Sequence, residues 1–261
     1  MIEQLKLYDV KSPKVRLGNE WDGGYVAPQI ILDSSAALFS YGVGSDISFE
    51  IDYVRKTNKP SFSYDHTVEG GGIPHDLQNL MVFKKEGLSY QKETDLDTFF
   101  AHYEQSGIKE QVFLKMDIEG AEFPFFLNSD MKRLSEIVTG IVVEFHPIDN
   151  PRLLQEYFDS LKKINEYFYH CHIHCNNYAG SSPYSEYGLD ITLPHILEMT
   201  FINKTLVANS KSTLSRFLDT FKSGEKVDLD MGDYPNPEYD RKNDLNRPEH
   251  SLDFIKLINK L

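Results

Sequence analysis

The run Ile137–Phe145 (Ile-Val-Thr-Gly-Ile-Val-Val-Glu-Phe) is apolar or small on both of its alternating faces until Glu144. A strand of that kind belongs at the centre of a sheet covered on both sides, the setting of a parallel α/β sheet rather than a one-sided antiparallel one. Other short β-rich runs fit the same sheet: Ala37–Tyr41, Ser61–Tyr64, Met81–Phe83, Gln111–Met116, Tyr169–Cys175 and Ile196–Ile202. Helical patterns alternate with them, which is the mark of βαβ units. One follows Ser48 with Phe49, Tyr53 and Val54 on a face, and Pro60 stops it. A second is expected to be capped at Thr94, with Leu96, Phe99, Phe100 and Tyr103 inward. The strongest begins at Asn150-Pro151, an N-cap followed by a first-turn proline. A last short helix is expected over Leu252–Leu261, after a Pro/Asn/Asp-rich stretch from about Gly224 to His250. Seven strands with interleaved helices predict one doubly wound domain over residues 1–261, with a core near 13–205 and an extension near 206–261.

Composition narrows the function classes. With 27 basic against 40 acidic side chains the chain carries a net charge of −13. Such a chain lacks the basic surface of a non-specific nucleic-acid binder, and it has no polybasic run for anionic lipid. No apolar run approaches the roughly 18 residues of a membrane span. No leader is visible at Met1–Lys6, and the two cysteines, Cys171 and Cys175, suit a reducing compartment. A cytoplasmic, soluble protein is the expectation.

In doubly wound sheets ligands bind beyond the carboxyl ends of the strands, and the polar residues of this chain collect there. Gly42 and Gly44 follow the first strand, where glycines let backbone approach a ligand at a helix N-terminus. The third glycine of a dinucleotide fingerprint is missing, Ile47 standing in its place, which disfavours a nicotinamide or flavin enzyme. Asp65 ends the second strand about twenty residues on, the place of a ribose-binding acid. Asp117, Glu119 and Glu122 follow the fourth strand, and an acidic cluster there calls for a metal, a ligand or a lysine such as Lys115. Glu144 and His146 share one side of the fifth strand's end.

Read as a strand, His170-Cys171-His172-Ile173-His174-Cys175 puts three histidines on one face and Cys171, Ile173 and Cys175 on the other. The histidine face offers proton acceptors or metal ligands. If the last strand is antiparallel, Glu198 starts it near Glu144 and His172.

The segment Leu-Lys-Met-Asp-Ile-Glu-Gly-Ala-Glu (114–122) closely resembles the signature of the FkbM-type methyltransferases, which use S-adenosyl-L-methionine. Residues 39–50, Arg16-Leu17-Gly18 and Asp22-Gly23-Gly24-Tyr25-Val26 match as well, and the resemblance spans roughly 13–205. It implies the class I (Rossmann-like) methyltransferase fold, a seven-stranded, mostly parallel doubly wound sheet with an antiparallel last strand. It implies that Tyr41, Gly42 and Gly44 cradle the methionine end of the cofactor, that Asp65 binds the ribose, and that the adenine lies near Glu86. Asp22, Gly23, Gly24 and Tyr25 would close over the cofactor, and Asp117 would sit between cofactor and acceptor. Tyr41 stands where many methyltransferases carry an acid.

The resemblance further implies O-methylation of a sugar, a nucleotide-activated one among the candidates, for capsule or other surface glycans. His146, His172 and His174 are the candidate bases beside Asp117, with a histidine base favoured. Asp117, Glu144 and His172 are the candidate ligands for Mg or Mn, a rival route to the same acidified hydroxyl. Tyr178, Tyr184 and Tyr187 are available to stack on a ring. Two other readings compete: a metal-dependent hydrolase or epimerase built on the His-rich strand, and a binding module without catalysis. The partners expected are a small sugar or nucleotide-sugar and, through or apart from Tyr234–Pro248, a second copy of the chain; that segment would otherwise cover the acceptor pocket.

Overall fold

A computed structural model describes residues 1–186, 189–207, 242–243, 246–250 and 253–258. Tyr187, most of Tyr234–Pro248 and the ends of the expected 252–261 helix lie outside these residues.

In chain order, β1 (Lys14–Leu17) and β2 (Tyr25–Pro28) form a hairpin, followed by α1 (Gln29–Ser34), β3 (Leu38–Tyr41), α2 (Ser48–Thr57), β4 (Ser61–Tyr64) and β5 (Met81–Lys84). Next come the two-residue strands β6 (Gly87–Leu88) and β7 (Leu96–Asp97), then α3 (Phe99–Ser106), β8 (Val112–Met116), α4 (Glu122–Asn128) and α5 (Met131–Ile137). The chain continues through β9 (Val138–Phe145), α6 (Pro151–Tyr167), β10 (Phe168–Cys175), β11 (Ser181–Glu186), β12 (Leu189–Pro194) and β13 (Leu197–Asn203), and a helix spans Asp253–Ile258.

The seven-stranded sheet runs β10-β13-β9-β8-β3-β4-β5. Strands β9, β8, β3, β4 and β5 pair in parallel. Strand β13 inserts antiparallel between β9 and β10. The order reverses between β3 and β8, which is the switch point where such sheets bind ligands. This is the class I methyltransferase sheet that the resemblance implies. As its composition requires, β9 is buried along its whole length.

Two cores flank the sheet. Tyr157, Phe158, Leu161 and Ile164 of α6 pack on one face with Phe123 and Phe126 of α4. Each such side chain contributes about 1.5–3 kcal/mol by leaving water. Ile31 and Leu32 of α1 and Phe49, Tyr53 and Val54 of α2 cover the other face. Asn150 caps α6 as expected, its Oδ1 accepting the Leu153 amide at 3.1 Å. No helix among the described residues is long and apolar enough to cross a membrane.

Two local expectations are corrected. The cap of α3 is Thr98, not Thr94: the Thr98 hydroxyl accepts the Ala101 amide at 3.2 Å. Leu96 and Asp97, expected in the helix, instead pair in parallel with Gly87 and Leu88. The three histidines also do not share one face. The register of β10 against β13 slips between His170 and His172, so that Cys171 is bulged. Beyond the slip the alternation restarts one residue out of step. Cys171 therefore packs in one core, while Ile173 and Cys175 pack in the other. His170 lies on the α6 side against Phe201, its Nδ1 3.1 Å from the Leu5 carbonyl. Burial drives its pKa down to about 3, so it is a neutral core histidine.

Candidate functional site

The turn after β3 needs its glycines for two different reasons. Gly42 has φ +71°, and a Cβ there would stand 1.6 Å from the Asp117 carbonyl oxygen. The ends of β3 and β8 are thus locked together, an arrangement that the Asp117 amide, 3.0 Å from the Tyr41 carbonyl, completes. Gly44 also has positive φ, but a Cβ there would meet no described atom within 4 Å. Its amide donates to Asp65 Oδ2 at 2.8 Å. Burial alone would raise the Asp65 pKa. Hydrogen bonds from Thr67 and Gly44 outweigh that and lower it, so the group is an ionised acceptor. An open glycine floor beside a fixed carboxylate at the next strand end fits an adenosyl ligand.

The Tyr41 side chain is elsewhere. It is buried and stacks on Tyr64, and its hydroxyl is 3.1 Å from His102 Nδ1. Only its main chain borders the turn. Glu86 faces the other ring nitrogen, its Oε2 3.1 Å from His102 Nε2. Gly23 comes near the same turn: a Cβ on it would sit 3.0 Å from Asp46 Oδ2. Gly24 instead packs on Arg16 and the Asn19 carbonyl.

The three acids after β8 separate by role. Glu122 is fully buried and accepts the amides of Ile118 and Gly120, each at 2.9 Å, so it closes its own loop. Glu119 has φ +55° and points to solvent. Asp117 is the one turned toward the strand ends. Lys115 supports it from below, its Nζ 3.0 Å from the Gly42 carbonyl and 3.8 Å from Asp117 Oδ2.

Around Asp117 the structure assembles four carboxylates, each joined to the next by a neutral donor. The Tyr25 hydroxyl lies 2.9 Å from Asp117 Oδ2 and 2.7 Å from Glu144 Oε2. Asn176 Nδ2 is 2.8 Å from Glu144 Oε1 and 3.5 Å from Asp22 Oδ1. Asn243 Nδ2 is 3.0 Å from Asp22 Oδ1 and 2.6 Å from Glu198 Oε1. His174 Nδ1 closes the series 2.9 Å from Glu198 Oε2. The antiparallel insertion of β13 makes this possible, since it sets Glu198 directly opposite Glu144.

One hydroxyl proton cannot serve two ionised carboxylates at once. The Tyr25 contact is therefore complete when Glu144 is protonated, donating to Tyr25 while Tyr25 donates to Asp117. Burial, reinforced by Glu198 and Asp117, raises the Glu144 pKa to about 7 against the opposing pull of His146. Burial and the same carboxylates hold the Tyr25 phenol well above its usual range, so it stays a hydroxyl.

His146 bridges the two acid groups. Its Nδ1 is 3.3 Å from Glu122 Oε1, and its Nε2 is 3.2 Å from Glu144 Oε1, 3.8 Å from Asp117 and 4.0 Å from Glu119. Burial opposes charge on the ring, but Glu122 and Glu144 outweigh it and raise the pKa to about 11. The surrounding carboxylates thus favour the charged form of the ring, the opposite of what lowers a base toward neutrality. Asp117, Glu119 and His146 nonetheless bring one donor atom each within 4.8 Å of one another. With Nδ1 backed by a carboxylate, that set fits a divalent ion, which would take the place of the ring proton.

His172 does not join Asp117 and Glu144, as the expected metal set required; its Nδ1 lies 3.4 Å from Lys14 Nζ. Tyr184 belongs to the β11–β12 hairpin and packs on Phe158. Tyr178 is exposed beneath the Arg247 guanidinium. Asp22, expected over the cofactor, is a member of the carboxylate series. Sequence reasoning did not find Asn243 or the bridging role of Tyr25, because no local pattern marks a residue that acts across 119 positions of chain.

A search among curated proteins returns no match. Solved structures resemble the chain only distantly. A putative hemolysin from Streptococcus thermophilus shares 8% identity at a TM-score of 0.39, over 72% of this chain and 71% of that one. Precorrin-6y C5,15-methyltransferase from Geobacter metallireducens shares 14% at 0.37, over 67% and 84%. A putative RNA methyltransferase from Pyrococcus horikoshii shares 12% at 0.35, over 77% and 96%. The family model of the methyltransferase FkbM domain matches residues 24–172, more than half of the sequence. That stretch holds the glycine turn, Asp65, Asp117 and the Tyr25–Glu144 pair, and the chain belongs to the FkbM methyltransferase family.

Proposed function

We propose that this S-adenosylmethionine-dependent methyltransferase transfers its methyl group to a sugar hydroxyl, in the making of capsule or another surface glycan. The observation that carries the reading is the carboxylate series beyond the switch point, beside the open floor at Gly44. Carboxylates that already hold neutral donors suit a ligand rich in hydroxyls, and four of them repel phosphate. In a nucleotide-activated sugar the sugar ring would therefore enter the series and the diphosphate would stay outside it.

When bound, the cofactor supplies an electrophilic methyl carbon for in-line displacement. Positioning does much of the work in such a step. Asp117 accepts the hydrogen bond of the reacting hydroxyl and orients its lone pair. As the hydroxyl loses its proton, Asp117 Oδ is the receiving atom, and Lys115 and His146 balance its charge. Tyr25 holds the rear of Asp117 so that the carboxylate cannot turn away. His174, fixed on Glu198, lies at the far end of the series and lines the ring-binding side rather than the reacting side.

A second reading has its own observation, the turning of His146 Nε2 toward three carboxylates. Asp117, Glu119 and His146 would hold Mg or Mn, which would acidify the bound hydroxyl. Calorimetric titration of EDTA-dialysed protein with MnCl2, repeated on Asp117→Asn, tests it: binding to the wild type that the variant loses supports the ion, and no binding removes it. The main reading is tested by incubating the purified chain with S-adenosylmethionine and a panel of free and nucleotide-linked sugars, with mass spectrometry of the products. A sugar gaining one methyl group supports it. Methylation confined to non-sugar acceptors would overturn it.

A further inference from the structure

Asn243 comes from beyond the matched domain, yet its side chain is 95% buried at the end of the carboxylate series. Both of its amide hydrogens are spoken for, one facing Asp22 and one facing Glu198. Turning the amide over would press its carbonyl onto two carboxylate oxygens, so the orientation is fixed by charge. Its Oδ1 is buried, and no described residue donates to it. Buried carbonyl oxygens are almost always hydrogen-bonded, and the Asp22 and Glu198 carboxylates that flank this one offer acceptors, not donors. What Asn243 Oδ1 lacks is a donor.

The short stretch that carries Asn243 is well anchored. Asn177 Nδ2 donates to the Arg247 carbonyl at 3.2 Å, and His250 Nε2 lies 3.1 Å from the Ala179 carbonyl. The Arg247 guanidinium donates to the Tyr178 carbonyl and lies 5.4 Å from the Tyr178 ring. Arg247 and His250 are thus tied to the loop after β10, the same loop that supplies Asn176, and Lys242 Nζ donates to the Arg247 carbonyl at 3.1 Å.

We propose that Asn243 is an acceptor-binding residue, its Oδ1 receiving a hydrogen bond from a hydroxyl or ammonium group of the sugar that is methylated. Asp22 and Glu198 hold the amide in place and add acceptors on either side, so the corner selects for a group that only donates toward it. A hydroxyl and an ammonium share that chemistry, and the surrounding carboxylates favour the ammonium of an amino sugar further. The specificity of the enzyme then lies partly in its C-terminal segment, outside the family's shared domain. This inference rests on the methyltransferase reading of the site.

The test uses the full chain saturated with S-adenosylhomocysteine and follows sugar binding by saturation-transfer NMR with D-glucose, D-galactose, D-mannose, L-rhamnose and D-glucosamine. Asn243→Leu keeps the volume and removes the acceptor, and Asn243→Ala removes it without crowding. Both variants are expected to bind S-adenosylhomocysteine as the wild type does and to bind the sugar roughly tenfold more weakly or worse. D-glucosamine binding best would identify the donor as ammonium, and equal binding of the neutral sugars as hydroxyl. Sugar binding within twofold of wild type in both variants would overturn the proposal, as would a wild type that holds S-adenosylhomocysteine but none of the sugars. Failure of the wild type to bind S-adenosylhomocysteine at all would instead overturn the methyltransferase reading beneath it.

Discussion

The Tyr25 hydroxyl stands 2.7 Å from Glu144 Oε2 and 2.9 Å from Asp117 Oδ2, so a single phenol bridges the two acids. Tyr25 starts the second strand of an N-terminal hairpin, and Glu144 nearly ends the central strand. Tyr25→Phe removes the shared donor and leaves the ring volume. Turnover should fall roughly tenfold to a hundredfold, with S-adenosylhomocysteine affinity within about twofold, because the cofactor floor is untouched. Equal losses in turnover and cofactor affinity would show Tyr25 to be a cofactor contact instead.

Asp117→Asn keeps the shape of the residue that faces the reacting hydroxyl and removes its ability to take a proton. Turnover should drop by about a hundredfold or more. The circular dichroism spectrum should not change, since Glu122 rather than Asp117 closes the loop. Wild-type turnover in this variant would remove Asp117 from the reaction.

The two glycines after β3 should fail differently. Gly42→Ala forces a methyl group onto the Asp117 carbonyl at positive φ and should cost more than about 2 kcal/mol, read as a large fall in melting temperature. Gly44→Ala meets open space and should cost only about 1–2 kcal/mol for its backbone angle. Its methyl group enters the cofactor's floor, so S-adenosylhomocysteine affinity should fall at least about tenfold. If Gly44→Ala bound the ligand normally, the floor would lie elsewhere.

Stability should decline as pH rises above 6.5, measured in EDTA, with the raised Glu144 pKa adding its own loss between 4.5 and about 7. The folded-state pKa of His146 is raised from 6.5 to about 11, so its contribution is complete below 6.5 and is lost as pH rises toward 11. The pKa of His170 is lowered from 6.5 to about 3, so its neutral burial opposes folding increasingly as pH falls from 6.5 toward 3. Melting temperature should decline from pH 6.5 to 9 in the wild type, and His146→Gln should flatten that decline. An unchanged slope in the variant would assign the effect to other groups.

The sheet was legible because each strand is a short apolar run between breakers, and burial on both faces leaves little choice of position for Ile137–Phe145. The antiparallel β13 came from the family resemblance, and Glu198 beside Glu144 followed from it; the register sets Glu198 against Glu144 and against His174 rather than His172. What escaped had no local mark. The bulge at Cys171 shifts the alternation of β10 by one residue, and a period-of-two pattern cannot reveal an inserted residue. Thr94 and Thr98 are equally good caps by type. The choice fell to Thr98 because Leu96 and Asp97 pair with Gly87 and Leu88, a tertiary contact. Glu122 read as part of an acidic cluster, whereas its burial and two backbone amides make it a loop closure. His146 read as a base because the carboxylate that most favours its charged form, Glu122, comes from a different element. Asn243 is isolated in a polar stretch, and nothing local marks that it meets Asp22 and Glu198 across 221 and 45 positions of chain.

The central claim is that the turn at Gly42–Gly44 and Asp65 form a cofactor site independent of any metal. Calorimetric titration of the purified chain with S-adenosylhomocysteine, in the presence and absence of EDTA, tests it most directly. Saturable one-to-one binding of similar strength in both conditions is the result expected. No heat of binding in either condition, or binding that EDTA abolishes, would contradict it.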